Sequence, residues 1–271
     1  MQRLARSLAR RGRIGFVPTM GFLHEGHLGL VRAARRQSDS VVVSVFVNPI
    51  QFGPKEDFRR YPRDFARDRR LLEKAGADVV FYPRVEDMYP AGFATFVEVE
   101  RLGDGLCGKS RPGHFRGVAT VVAKLFNIVL PDVSVFGAKD AQQAFVIRRM
   151  ARDLGFHTKV AILPTAREKD GLAMSSRNVY LSPQQRAEAP VLYRSLLLAR
   201  RLIVQGERRA ARVKAAMRRM VRRESSGRID YAEMVDTDEL KPVTTVKGET
   251  LIALAVFFGK TRLIDNTVIR A

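Results

Sequence analysis

Cysteine is nearly missing: Cys107 is the one thiol in 271 residues, so no internal disulfide can form. With only four histidines beside it, the chain offers no thiol-rich metal site. A reducing, cytoplasmic setting is the expectation. Long apolar runs are scarce too. The longest uncharged ones, around residues 41–47 and 251–258, fall far short of the roughly 18 to 20 residues a membrane-spanning helix needs, so no membrane association is expected. The sequence shows no internal repeat and no low-complexity linker, which argues for domains packed together rather than flexibly tethered. Acidic residues are in short supply: 28 Asp plus Glu against 48 Lys plus Arg leave a net charge of +20, which favours anionic substrates or polyanionic partners.

What is present suits a globular chain. Hydrophobic residues at 46% and charged residues at 28% exclude a mainly disordered or collagen-like protein. The length exceeds an average domain of roughly 150 residues, so one large or two modest domains are expected. The charge excess is local. Residues 194–223 hold eleven basic residues and one acid, Glu207, and so carry half of the net charge. Two readings compete there: a nucleic-acid surface, or helices whose arginines form a solvated face opposite a buried one made by Leu196, Leu197, Ala199, Leu202 and Ile203. Aromatics are nearly absent from this run apart from Tyr193, which argues against single-strand stacking, and no dedicated nucleic-acid partner is expected. Residues 1–13 contain five arginines and no acid and look superficially like a transit peptide. The apolar run 14–17 follows at once, which favours a basic amphipathic helix with Leu4 and Leu8 on one face.

Short apolar runs alternate with helical patterns over the first 160 or so residues, the pattern of a parallel sheet with crossover helices. The expected strands are 14–17, 41–47, 79–82, 133–136 and 159–163. The expected helices are 27–36, 65–75, 118–128 and 141–153, with Gly76 and Gly155 placed as left-handed caps. After about residue 165 the pattern changes to a polar loop (167–178), long basic helices (183–205 and 208–223) and three strands (230–235, 250–258 and 262–269). Gly259-Lys260 suits a turn between the last two. The expected division is an α/β domain over residues 1–165 and a smaller α+β domain over residues 166–271.

Two clusters carry chemistry. The first, Pro18-Thr19-Met20-Gly21-Phe22-Leu23-His24-Glu25-Gly26-His27, lies between the first strand and the first helix. Ligands of open α/β sheets bind at the carboxyl ends of strands, and a helix start presents unpaired N–H groups to anions. His24 and His27 can project to one side there and donate to phosphate oxygens that gain charge, while Gly26 permits close approach. The alternative is a pair of capping or surface histidines. A zinc pair is disfavoured, because zincin histidines stand four apart. The second cluster is the stretch from Arg167 through Met174-Ser175-Ser176-Arg177 to Asn178. Its flexible backbone, two hydroxyls and permanent cation suit a loop that closes on a triphosphate; the alternative is an ordinary interdomain loop that happens to contain Ser-Ser-Arg.

These clusters resemble the H-x-G-H and K-M-S-K-S-like elements of the nucleotidylyltransferase superfamily. The segments PTMGFLHEGH, FVNPIQFGPKEDFRRYPR, CGKSRPGHFRGV, FGAKDAQQ, GLAMSSRN and TRLIDN, in this order, resemble the pantothenate synthetase (pantoate–β-alanine ligase) family over residues 13–266. The resemblance implies a Rossmann-like parallel-sheet domain followed by a smaller α+β domain. It also implies ATP-dependent condensation of pantoate with β-alanine through a pantoyl adenylate, with magnesium bound mainly through the triphosphate, and a homodimer.

By motif match the ATP site would include Pro18, Thr19, Met20, Gly21, Gly26, Gly137, Asp140, Ala166, Met174, Ser175 and Ser176. His27, His24, Lys139 and Arg177 would act on the phosphates. Gln51 and Gln143 would read pantoate, since a neutral amide both donates and accepts. Each has a bland alternative: Gln51 as a turn cap, Gln143 as a solvent-facing helix residue, and Asp140 as a helix cap. Arg111 and His114 either hold the carboxylate of β-alanine or pair within a loop, and Asn48 and Tyr61 are pocket candidates on similar terms. No protein ligand for a metal can be named, and no base for the amine is evident. The sequence departs from the family pattern at Ala166, where valine is commoner, at Lys169, at Ala141 and in a short amino-terminal stretch.

Overall fold

The computed structural model describes residues 1–54 and 56–270. The chain forms two compact units: Met1–Gly103, Gly108–Ala138 and Gln143–Pro164 make the first, and Asp104–Cys107, Lys139–Gln142 and the chain from Thr165 onward make the second. Residues 104–107 and 139–142, expected in the first domain, thus group with the second.

The first unit is built on five parallel strands, β1 (Ile14–Thr19), β2 (Ser40–Val45), β3 (Val79–Phe81), β4 (Val133–Gly137) and β5 (Lys159–Leu163), in the order β3-β2-β1-β4-β5. The helices along the chain are α1 (Gln2–Ala9), α2 (Glu25–Arg35), α3 (Phe65–Ala75), the short α4 (Val85–Met88) and α5 (Cys107–Ser110), α6 (His114–Val129) and α7 (Ala141–Asp153). This is the Rossmann-like α/β arrangement. On one face of the sheet, Val17, Val43 and Val135 pack with Val31 and Ala34 of α2 and Leu72 of α3. Elsewhere in the core the ring of Phe16 meets that of Phe126 from α6 edge to face, 6.5 Å between centroids. Each such side chain, fully withdrawn from water, contributes about 1.5 to 3 kcal/mol.

Strand order reverses at β1. There the chain leaves β1 toward β2 on one side, while β4 lies on the other, and β1 pairs with β4 only at Gly15 and Phe16. Pro18, which has no N–H to give, stands beyond that last pair. The carboxyl ends of β1, β2 and β4 therefore surround the switch point where open sheets bind ligands.

The second unit has a three-stranded antiparallel sheet, β6 (Arg228–Asp236), β7 (Glu249–Phe258) and β8 (Thr261–Arg270), with β7 central. α8 (Pro183–Glu188), α9 (Val191–Val204) and α10 (Ala210–Glu224) accompany it. Leu192, Leu196 and Ile203 of α9 and Val213 and Met217 of α10 join Met234, Ile252 and Leu254 in one core. The smaller α+β part is as the sequence implied.

Several expectations change. The helix expected over residues 183–205 is two helices, because Pro190 at the junction cannot continue the hydrogen-bond ladder. The helix expected to begin at residue 118 begins at His114 and runs straight through Gly117, which reads as a breaker in sequence. In α1, Ala5 and Leu8 are the buried residues and Leu4 is exposed. Leu197 faces outward from α9 as well. In the basic region, Glu207 is hydrogen-bonded by Arg209, which, with Arg212 nearby, lowers its carboxyl to about 2. Glu233 takes Lys214 and Arg218, and Glu224 takes Arg194 and Arg223.

Candidate active site

At the mouth of β1, Thr19 closes the strand with its hydroxyl on the carbonyl of Ser44, 2.8 Å away, and accepts the N–H of Gly21 at 3.2 Å. The chain then turns through Gly21 and Phe22, both with positive φ (81° and 49°). A Cβ at residue 21 would come within 3.0 Å of Asp68, so glycine is required there for conformation and for room. Asp68, buried on α3, accepts the N–H groups of Phe22 (2.7 Å) and Leu23 (2.8 Å) and fixes this turn. His24 is the N-cap of α2, and its ring lies 4.0 Å from that of His27, centroid to centroid. The backbone N–H of His24 donates to Nδ1 of His27 at 3.3 Å. That bond makes Nδ1 an acceptor and places the proton of the neutral imidazole on Nε2, the atom that can donate to a phosphate oxygen. Gly26 lies in the first turn of α2, so the helix amino terminus and both histidines share one region.

Beyond β2, the 3-10 turn Pro49–Gln51 sits against α6. A Cβ on Gly117 would lie 2.5 Å from the carbonyl oxygen of Ile50 and 2.7 Å from Cα of Gln51, so only glycine allows this approach. Gln51 and Asn48 are buried, and Nδ2 of Asn48 donates both to Oε1 of Gln51 (3.0 Å) and to the carbonyl of Gly117 (3.1 Å). The hydroxyl of Tyr89 donates to Oδ1 of Asn48 at 2.8 Å, and burial pushes that phenol's pKa well up, so it stays a donor. Nε2 of Gln51 contacts Sδ of Met20 at 3.0 Å. The structure thus brings Met20, Asn48 and Gln51 together. Asn48 spends its amide on protein partners, which makes it a support for Gln51.

Arg111 grips Glu56 with two bonds, Nε to Oε1 at 2.8 Å and Nη2 to Oε2 at 2.6 Å, and reaches Nε2 of His114 with Nη1 at 2.9 Å. His114 in turn places Nδ1 2.8 Å from the carbonyl oxygen of Gln51. Tyr61 is buried beside Phe52, with ring centroids 6.0 Å apart. Gly137 closes β4, and Gln143 is half-buried in α7.

In the second unit, Lys139 and Asp140 lie in a 3-10 turn, Nζ 3.7 Å from Oδ1, and the amide of Asn266 donates to the carbonyl of Lys139 at 2.7 Å. Residues 166–174 form a tight hairpin in which Met174 N–H meets the carbonyl of Ala166 at 3.0 Å. Arg167 anchors it through a bidentate pair with buried Asp265, 2.7 and 2.9 Å, and lies 4.0 Å over the Tyr193 ring. Arg186 holds Glu168 and Asp170 near the tip, and its hydrogen bond lowers the Asp170 carboxyl below the ordinary carboxylate range. Ser175 caps the 3-10 turn Ser176–Tyr180 by accepting the N–H of Arg177 at 3.2 Å. Ser175, Ser176 and Arg177 are therefore contiguous on a loop pinned at its base and near its tip.

Sequence reasoning missed Asp68, Tyr89, Glu56 and the anchoring role of Asp265. The signals were weak: Asp68 reads as a first-turn helix acid and Glu56 as a loop charge. Asp265 and Asn266 stand in the TRLIDN segment, which marked the place without the partner. Among the described residues no three of His, Cys, Asp and Glu converge as a metal site, and no helix is long and apolar enough to cross a membrane.

A parallel sheet that opens beside β1, with a histidine pair on the helix start that follows, defines an α/β enzyme of the nucleotide-binding class. The family model for pantoate–β-alanine ligase matches residues 1–268. The chain belongs to the pantoate–β-alanine ligase family. It is 61% identical over 266 residues to the pantothenate synthetase of Heliobacterium modesticaldum, covering 98% of this chain and 95% of that one. It is 56% identical over 272 residues to that of Caldicellulosiruptor bescii, covering 100% and 96%. The crystal structure of pantothenate synthetase from Thermus thermophilus superposes with a TM-score of 0.93 at 53% identity, over 98% of this chain and 96% of that one. A pantoate–β-alanine ligase from Francisella tularensis, crystallised with beta-gamma ATP and β-alanine, does so with a TM-score of 0.80 at 33% identity, over 98% and 94%.

Proposed function

We propose that this chain activates pantoate as an acyl adenylate and then passes the acyl group to β-alanine. The chain is an ATP-dependent ligase of pantoate and β-alanine, forming pantothenate, AMP and pyrophosphate. The observation that carries the residue assignment is the His27 ring, whose Nδ1 is committed to the backbone so that Nε2 presents a proton beside the start of α2.

Pantoate is a carboxylate at neutral pH, so its oxygen attacks the α-phosphorus without a general base. The work left to the protein is alignment and charge stabilisation. His27, with His24 beside it, donates to the phosphoryl oxygens as their charge grows. Lys139, Ser175, Ser176 and Arg177 hold the triphosphate and the departing pyrophosphate, and Asp140 accepts from ribose hydroxyls. Pro18 to Gly21, Gly26, Gly137, Ala166 and Met174 contact the nucleotide, while Gln51 and Gln143 bind pantoate. Magnesium, bound mainly through the triphosphate, would offset negative charge on the departing pyrophosphate, and no side chain of this chain is assigned to it. In the second half-reaction the amine nitrogen attacks the acyl carbon and AMP leaves. The proposed working form is a cytoplasmic homodimer without a dedicated nucleic-acid partner.

The test supplies ATP and pantoate without the amine and follows pyrophosphate release and bound adenylate. His27→Ala and Lys139→Ala are each expected to slow this half-reaction by about a hundredfold or more. Near-normal rates in both would remove the assignment.

A further inference from the structure

We infer that Glu56, Arg111 and His114 form a positioning array for Gln51, and that Arg111 and His114 are not the receptor for the carboxylate of β-alanine. The inference rests on Gln51 being a pantoate-binding residue.

A guanidinium has five N–H donors and no acceptor. In Arg111, Nε and Nη2 meet the two oxygens of Glu56, Nη2 also lies 3.4 Å from the carbonyl of Gln51, and Nη1 reaches His114. Its charge is thereby matched by a carboxylate already in place. A second carboxylate arriving at the same guanidinium would meet Glu56 at short range, and the two negative charges would repel. Arg111 is a permanent donor, so Nε2 of His114 must accept from it. The proton of the neutral ring then sits on Nδ1 and is donated to the carbonyl oxygen of Gln51 at 2.8 Å. Both ring nitrogens of His114 are thus engaged within the protein.

What this array holds is informative. The backbone of Gln51 is fixed by His114 and by the close approach of α6 at Gly117. Its Oε1 is held by Asn48. Among the described residues Nε2 meets the sulfur of Met20, a weak acceptor that an oxygen of the substrate replaces at little cost. Gln51 is therefore presented to pantoate as a donor, with Nε2 toward a carboxylate or hydroxyl oxygen. Loosening Arg111 or His114 should disturb the binding of pantoate and leave that of β-alanine nearly untouched.

Steady-state kinetics on Arg111→Gln, Glu56→Gln, the double variant, His114→Ala and His114→Asn test this. Arg111→Gln and His114→Ala are expected to raise the KM for pantoate by about tenfold and to slow adenylate formation without amine, while the KM for β-alanine stays within about twofold. His114→Asn, whose amide nitrogen replaces Nδ1 as donor, should recover most of the loss. The double variant should be no worse than Arg111→Gln alone, since the two residues act as one unit. The reverse partition, a raised KM for β-alanine with normal adenylate formation, overturns the inference, and so does equal loss in His114→Ala and His114→Asn. If Arg111→Gln does not fold, Glu56→Gln and the two His114 variants carry the same comparison. Pyrophosphate release by the unmodified enzyme separates the two readings: its absence defeats the proposed reaction, whereas its presence with the wrong KM partition defeats only this array.

Discussion

The turn after β2 and the hairpin of residues 166–174 both hold candidate binding residues, yet they are fixed by different forces. Around Gln51 the closest restraints are neutral, an asparagine amide, an imidazole N–H and a backbone approach that only glycine allows, with the largely buried Arg111–Glu56 pair behind them. The hairpin is held by ion pairs, one buried at Arg167 with Asp265 and two partly exposed at Arg186. Neutral bonds in a buried setting respond weakly to salt, whereas exposed ion pairs weaken as added salt shortens the screening length from about 10 Å at about 0.1 M to about 3 Å at about 1 M. One region should therefore behave as a rigid template and the other as a unit whose tip answers to solution conditions.

The contrast is open to direct attack. The largest effect is expected at the base of the hairpin. Asp265→Ala leaves the Arg167 guanidinium, most of it out of water, without its counter-charge and should cost about 3 kcal/mol or more, read from the denaturant midpoint at constant slope. Next comes the turn that presents the histidines. Asp68→Ala strips the acceptor from two N–H groups and should cost about 2 to 3 kcal/mol, with a parallel fall in adenylate formation. Stability loss without loss of activity would show that the turn does not need Asp68 to place His24 and His27.

Gly117→Ala tests the template. Its added methyl would collide with backbone at Ile50, so a cost of about 1 to 3 kcal/mol and a raised KM for pantoate are expected, with little dependence on salt. The smallest effect belongs to the tip. Arg186→Ala should change stability by less than about 1 kcal/mol, and the difference from the unmodified protein should shrink as salt rises. The pH dependence has a defined sign. The Asp170 carboxyl is held down chiefly by its hydrogen bond from Arg186, so its contribution is present above the ordinary aspartate pKa and disappears as pH falls through the depressed value. A thermal-melting series from neutral to strongly acid pH, with and without Arg186, checks this.

Much of the fold was legible because its signals are local. The five strands of the first sheet are short apolar runs near the expected places, and α3 and α7 begin and end where periodicity and capping glycines put them. The histidine pair was legible for the same reason: strand, turn and helix start are contiguous. Where legibility failed, a distant partner had decided the outcome. Gly117 breaks helices in isolation, but here it faces a backbone that leaves no space for a side chain. Arg111 read equally as a substrate ligand or a loop partner, because one sequence does not say that Glu56 lies within reach.

By itself the sequence determined the order of elements, the family and which residues are candidates for handling a nucleotide, since these depend on neighbours a few positions apart. Tertiary structure alone decided which of those residues are turned toward one another. The bonds from Asp68 to the turn bridge 45 and 46 positions and those between Arg111 and Glu56 bridge 55, separations at which packing, rather than propensity, selects the partner.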